Sequence, residues 1–235
     1  MFITQHLKTA FTVLLFGAFF APVLSAQDEI EYDKKVYDLI RKDRKVFEAW
    51  QKQNPTMPIN LKGADLAGMN LSGINLAGAI LEEADLRGAQ LMKANLKGAN
   101  LRGADLGEHN MKLTDLSEAN AEGADFSEAD MTTARLFNVK AKGAKFKEAD
   151  MSGVSFNGAD LTDADLRGAD LIGSIFNNTT LIRTNIAGAD TEEIVVKQCK
   201  GVDKAGKPVI IDSSAQMFSN LLSSVPKKGG SEDED

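Results

Sequence analysis

From position 61 to position 186 every fifth residue is a unit centre, in 26 consecutive units without a change of phase. The centre is Leu in 16 units, Phe in 4, Met in 3, Ala in 2 and Ile in 1. Two residues before it the slot is mostly Ala, as in Ala64, Ala84, Ala89, Ala94, Ala99 and Ala104. Asp or Asn most often stands between them, and Gly is common two residues after the centre. A period of five fits neither the 3.6 of a helix nor the 2.0 of a flat strand. It fits a chain that turns a corner every five residues and points two of each five inward.

Ala64-Asp65-Leu66-Ala67-Gly68 and Ala99-Asn100-Leu101-Arg102-Gly103 follow the pattern A(D/N)LxG. Over residues 59–190 the chain resembles the pentapeptide-repeat family. The resemblance implies an all-β solenoid, a right-handed quadrilateral β-helix in which four repeats make one square coil. The repeats would then build about six and a half coils, roughly 30 Å tall at the spacing of paired strands. Residues twenty apart should stack. Lys62, Glu82, Arg102, Glu122 and Lys142 alternate in sign at that spacing, and opposite charges on paired strands contribute about 0.2–1 kcal/mol each. The small centres Ala121 and Ala141 are each followed by a Phe centre, Phe126 and Phe146. A ring beside a missing Leu conserves core volume, so these pairs read as packing and not as a cofactor pocket.

The flanks divide the rest. Lys8, the apolar stretch 10–20, Pro22 and the small residues before Ala26 read as a signal peptide over 1–26. Its apolar stretch is short for a membrane span, which needs about 20 residues. The mature protein is therefore expected outside the cytoplasm, in a periplasm, a thylakoid lumen or the medium, without stable membrane insertion. A solenoid exposes strand edges and core at both ends, and these invite stacking unless covered. Residues 27–58 supply an N-terminal capping helix and a lead-in segment. The helix is expected over 31–52, with Tyr32, Val36, Leu39, Ile40, Val46, Phe47 and Trp50 on one stripe and Glu31/Lys35, Asp38/Lys42 and Glu48/Lys52 as i,i+4 pairs. Trp50 reads as a lid over the first coil. Residues 191–226 read as a C-terminal cap. Short strands at 194–196 and 209–211 flank a turn, and a helix follows from Ser213 with Ala215, Phe218, Leu221, Leu222 and Val225 on its apolar face. The acidic tail 227–235 is expected to be disordered.

The net charge is −7, and the repeats hold 13 basic against 19 acidic residues. No basic face for nucleic acid is present. Beyond the leader the chain has one Cys (Cys199) and one His (His109), which rules out an internal disulfide and leaves little for a Cys/His metal site. His109 occupies an inward Ala slot, and an outward bulge beside Asn110 and Met111 is the expected escape. Cys199 reads as a partly buried thiol in preference to an intermolecular disulfide.

The strongest polar feature is a ladder. Asp65, Asp85, Asp105 and Asp125 should stack, followed by Lys145 and Asp165, with Glu108, Glu128 and Glu148 as a second row. Asp130, Asp150, Asp170 and Asp190 form another. Stacked carboxylates repel unless hydrogen bonds or cations compensate. The family pattern implies that each Asp accepts backbone amides at its corner. The competing reading is a weak Ca²⁺ or cationic-partner surface, which regular spacing disfavours. Ile172, Ile175 and Ile182 stand at normally outward positions near the C-terminal end, as a dock for the C-terminal helix or for a partner. No catalytic residue, cofactor or metal is expected. The reading is a non-enzymatic exported structural or protein-interaction scaffold. The alternatives are a DNA-mimicking protein, like family members that protect gyrase, and a cation-binding surface protein. Lys140, Lys142, Lys145 and Lys147 interrupt any duplex-like acidic stripe.

Overall fold

Each five-residue unit closes a tight turn, and the turn makes the corner. In the unit of Leu101 the Ala104 N–H donates to the Leu101 carbonyl at 3.0 Å. Gly103, third in the turn, has φ +62°, the conformation a type II turn needs and Gly supplies without strain. The same unit accounts for its other four amides. Asn100 N–H bonds back to Ala79 at 2.9 Å, while Leu101 and Gly103 bond forward to Asn120 and Glu122 at 2.6 and 3.0 Å. Arg102 N–H goes to the Asn100 side chain at 3.3 Å. With every donor used, the Asp or Asn before the centre is explained. It serves the one amide that neither the turn nor the neighbouring coils can reach.

In this computed structural model, residues 33–202 and 208–211 are described. The expected leader 1–26, the helix after Ser213 and the tail 227–235 lie outside the described residues. Parallel pairing joins the residue before a centre to the one twenty later, from Asn60–Ile80 to Thr180–Lys200, at every unit but that of Gln90. The stack is a right-handed, four-sided β-helix. Its sides are numbered here by the centres of the first coil: Leu61, Leu66, Leu71 and Leu76.

The winding does not stop at Asp190, where the sequence pattern fades. Strand β1 (Ile175–Asn177) pairs in parallel with β2 (Val195–Lys197), and Thr180 bridges Lys200. At twenty residues per coil, 59–198 makes seven coils. Val196 and Cys199 fill inward slots at 6% and 0% exposure, so inward burial persists after the A(D/N)LxG pattern is lost. Strand β3 (Cys199–Val202) then pairs antiparallel with β4 (Pro208–Ile211). The expected partner of 209–211 was 194–196, but those residues are taken by the parallel coil.

Inside, the centres form four buried columns. Phe126 and Phe146 stack on side 2 with centroids 5.0 Å apart, and Phe156 and Phe176 stack on side 4 at 4.8 Å. An edge-on contact of Phe146 with Phe156 at 6.4 Å carries the aromatic column across the interior. Ala121 and Ala141, fully buried, leave the room that the side 2 rings use.

The N-terminal cap is two helices where one was expected: α1 (Lys34–Lys42) and α2 (Arg44–Gln53). Asp43 breaks them. Its backbone is extended, its N–H closes α1 on Leu39, and its carboxylate accepts Lys45 N–H at 2.7 Å as the N-cap of α2. The break re-phases the stripe. Val36, Ile40 and Phe47 are buried, Val46 is exposed, and Trp50 lies half-buried beside Phe47, with ring centroids 6.2 Å apart. Phe47 is thus the buried plug that Trp50 was expected to be. Glu48 pairs with Arg44 at 2.8 Å, one turn back, and not with Lys52.

The first coil has no predecessor, so its upward carbonyls need donors. Asp33 N–H serves Asn60 at 2.8 Å. The Arg44 guanidinium serves Ser72 and Gly73, and the Gln51 side chain serves Asn75 at 2.8 Å.

Candidate functional site

The polar surface of side 2 is built by the register. Asp65, Asp85, Asp105, Asp125, Lys145 and Asp165 are successive bridge partners. The structure therefore brings Asp85, Asp105 and Asp125 together as a column. Each of the five carboxylates accepts the amide two residues on, at 3.0 Å for Asp85 and Asp125 and 3.1–3.2 Å for the others. Cations of the same side supply the remaining compensation. Arg87 grips Asp85 through two nitrogens at 2.9 and 2.6 Å and reaches Asp105 at 3.8 Å. Lys145 meets Asp125 at 3.1 Å, and Arg167 meets Asp165 at 2.7 Å.

The electrostatics follow. The Arg87 side-chain bonds, with its backbone amide, hold the Asp85 carboxyl down to about 2. Burial alone would raise Asp125, but the Ser127 bonds and Lys145 outweigh it and the carboxyl is lowered. Asp165 is lowered in the same way, burial being outweighed by Arg167. Glu108 and Glu128 stand at corners with φ +61° and +59°. With Gly88, Gly107, Asp105 and Asp125 they line a shallow groove on this side.

Side 3 repeats the logic. Asp130, Asp150, Asp170 and Asp190 stack. Lys112 meets Asp130 at 2.9 Å, and the Thr132 and Ser152 hydroxyls donate to Asp130 and Asp150 at 2.6 and 2.7 Å. Among the described residues no three His, Cys, Asp or Glu side chains converge as a metal ion would require. The sign-alternating column on side 1 forms contacts at Lys62–Glu82 (3.7 Å) and Arg102–Glu122 (4.0 Å).

Ile172, Ile175 and Ile182 do not share one side. They belong to successive units centred on Leu171, Phe176 and Leu181, hence to sides 3, 4 and 1, and all are half-buried. A corner every five residues distributes them, and the helix expected to dock on them lies outside the described residues.

His109 departs most from expectation. Its ring points inward, at 2% exposure, and Met111 is fully buried. Nε2–H donates to the Leu86 carbonyl, and Nδ1 accepts Gly88 N–H at 3.3 Å. Burial pushes the imidazole below its ordinary value, against the raising effects of the Glu108 and Gly107 carbonyls and of Asp105 and Asp85.

His109 also reveals a rule that the sequence reading missed. Thr114, Ser174, Thr179 and Thr184 occupy the same slot, and each hydroxyl donates to the centre carbonyl 23 residues earlier at 2.8–2.9 Å. The Cys199 thiol, 0% exposed, does the same to Phe176 at 2.9 Å. At Leu86, Leu91, Met151, Phe156 and Leu161 the turn occupies one lone pair of the centre carbonyl, and the slot donor takes the other. The signal was present: Ser174, Thr179, Thr184 and Cys199, which replace Ala in this slot late in the chain, are all small hydrogen-bond donors.

A filled interior, a twenty-residue register and self-neutralised polar sides define a right-handed quadrilateral β-solenoid. The chain belongs to the pentapeptide-repeat family, whose repeats match in eight copies over residues 59–98, 94–132, 134–171 and 159–190. Among solved structures it is similar to a pentapeptide repeat protein from the Arabidopsis thaliana thylakoid lumen. That match has 39% identity over 43% of this chain and 66% of the other, just under two thirds, with a TM-score of 0.34. HetL, involved in heterocyst differentiation regulation in the cyanobacterium Nostoc sp. strain PCC 7120, is 23% identical over 70% and 98% of the two chains (TM-score 0.30). Rfr23 from the cyanobacterium Cyanothece 51142 is 21% identical over 63% and 96% (TM-score 0.38). No curated protein matches the chain.

Proposed function

We propose that this chain is a non-enzymatic scaffold that presents its outer sides to a protein partner outside the cytoplasm. The carrying observation is the completeness of the inside. Centres are buried from Leu61 to Leu181, slots are buried throughout that range except the half-buried Met69, and slot hydroxyls and the thiol bond to backbone. Recognition is left to outward residues held on a rigid lattice, where side 2 offers a carboxylate column with Arg87, Lys145 and Arg167 set into it. Protein surfaces are read by such charge complementarity, which sets register and suppresses wrong partners. The leader-like segment 1–26 supports export. No helix among the described residues is long and apolar enough to cross a membrane.

The test places a photo-crosslinking residue in turn on each side of the full-length protein expressed in its own cells, and fractionates the products. The expected result is a discrete crosslinked species from an extracytoplasmic fraction, arising from one side and absent from the other three. Retention in the cytoplasm, or inhibition of gyrase supercoiling at sub-stoichiometric protein, would overturn the reading.

A further inference from the structure

The ladder between coils is continuous along all four sides except at one place. Asp85–Asp105 and Asn95–Asp115 bridge the second and third coils, yet among the described residues Gln90–Asn110 does not. Three backbone bonds that recur in neighbouring units are missing there: Gly88 N–H to Gly107, Asn110 N–H to Ala89, and His109 N–H to Leu106. The imidazole stands in the gap, with Gly88 N–H turned to Nδ1. Thr114, in the next slot of the same coil, donates to Leu91 and leaves its turn and its rung intact. Size and chemistry separate the two. A hydroxyl fits under the ladder, whereas an imidazole displaces part of it and substitutes its own nitrogens.

We propose that His109 is a proton-operated latch on the seam between the second and third coils, closed when the ring is neutral and released when it is protonated. Only one neutral tautomer fits, with Nε2–H donating to Leu86 and Nδ1 accepting from Gly88. A proton on Nδ1 sets two donors against each other and releases Gly88 N–H from the ring, where the ladder bond to Gly107 is absent. The surroundings draw the charged ring outward. Asp85 of the second coil and Asp105 of its own act on the ring, Asp130 of the fourth donates its N–H to the His109 carbonyl, and Arg87, Glu108, Asp125 and Glu128 line the groove on side 2. Arg87 is engaged by Asp85, so carboxylates dominate the exit. Among the described residues the inside offers no counter-charge, because His109 is the only buried ionisable side chain apart from the Cys199 thiol. The folded pKa is depressed, so the latch is fully closed above the unfolded value of 6.5. It is lost as pH falls from there through the folded value.

Amide hydrogen exchange on the full-length protein, corrected for its intrinsic pH dependence, tests this between pH 8 and pH 4.5. Gly98 and Gly103 keep the ordinary bond at the same turn position (2.8 and 3.0 Å) and serve as internal references. Protection of Gly88 relative to them is expected to fall by about tenfold per pH unit in the window between the two pKa values, as one coupled proton requires. The variant His109→Thr should regain the Gly107 bond and make Gly88 track Gly98 at every pH. Gly88 following the references throughout in the unaltered protein overturns the proposal, whether or not the variant folds. So does a pH dependence that survives in His109→Thr.

Discussion

Thr133 shows what a single position in this lattice costs. It stands third in its turn with φ +56°, a region that is unfavourable for an L-residue by about 1–2 kcal/mol and worst for a β-branched one. Glycine removes that strain and loses about 0.5–1 kcal/mol of backbone entropy. Thr133→Gly should therefore stabilise by roughly 0.5–1 kcal/mol, seen as a higher thermal midpoint; a lower one would mean that the Thr133 side chain contributes more than the turn loses. Arg87 gives a second residue-scale prediction. Arg87→Ala should let the Asp85 carboxyl rise from about 2 toward 3.8, read by a carbon-detected NMR titration. Because the folded value is depressed, the stability this pair contributes is present above 3.8 and lost as pH falls toward about 2. An unmoved titration would assign the shift to the Arg87 backbone amide alone. The Asp ladder itself was legible, since register and corner bonding both follow from the repeat. The Arg87 clamp was not, because two residues along one strand meet only when the side chain folds back.

At the scale of the element, the cap decides whether the first coil is an end or a template. Phe47 is fully buried beneath it, and Arg44 and Gln51 take carbonyls that a previous coil would otherwise take. Phe47→Ala should destabilise by about 3–5 kcal/mol and expose a strand edge. The expected outcome is a lower denaturant midpoint together with concentration-dependent association in the ultracentrifuge. A monomer with an unchanged midpoint would show that the cap is dispensable. The apolar stripe announced a capping helix, but its phase did not survive Asp43. An Asp at mid-helix is only mildly unfavourable by propensity, so the break is decided by which faces the first coil can cover. Val46, on the stripe by counting, ends up in solvent for that reason.

At the scale of the whole molecule the tower is nearly one-dimensional: each coil touches its neighbours, and stability adds up along the axis. Deleting residues 79–98 removes one coil whose centres are all Leu and rejoins two whose centres are Leu except Met111. Deleting 139–158 removes Phe146 and Phe156, the pair that carries the aromatic column from side 2 to side 4. Both deletions keep the twenty-residue register, so both should fold. The first should melt cooperatively, the second at a clearly lower temperature by circular dichroism. Equal midpoints would show that the crossing rings add nothing beyond their volume. The period of five, the twenty-residue register and the paired Ala and Phe centres were determined by sequence alone, because each is a local rule stated many times over; the corner-capping Asp was implied by the family pattern. Only the tertiary structure decided that the winding runs on to Lys200, that the three isoleucines part onto three sides, and that His109 turns inward at the expense of a rung. Each of those depends on what lies twenty residues away in the same lattice site, and a repeat consensus averages that information out.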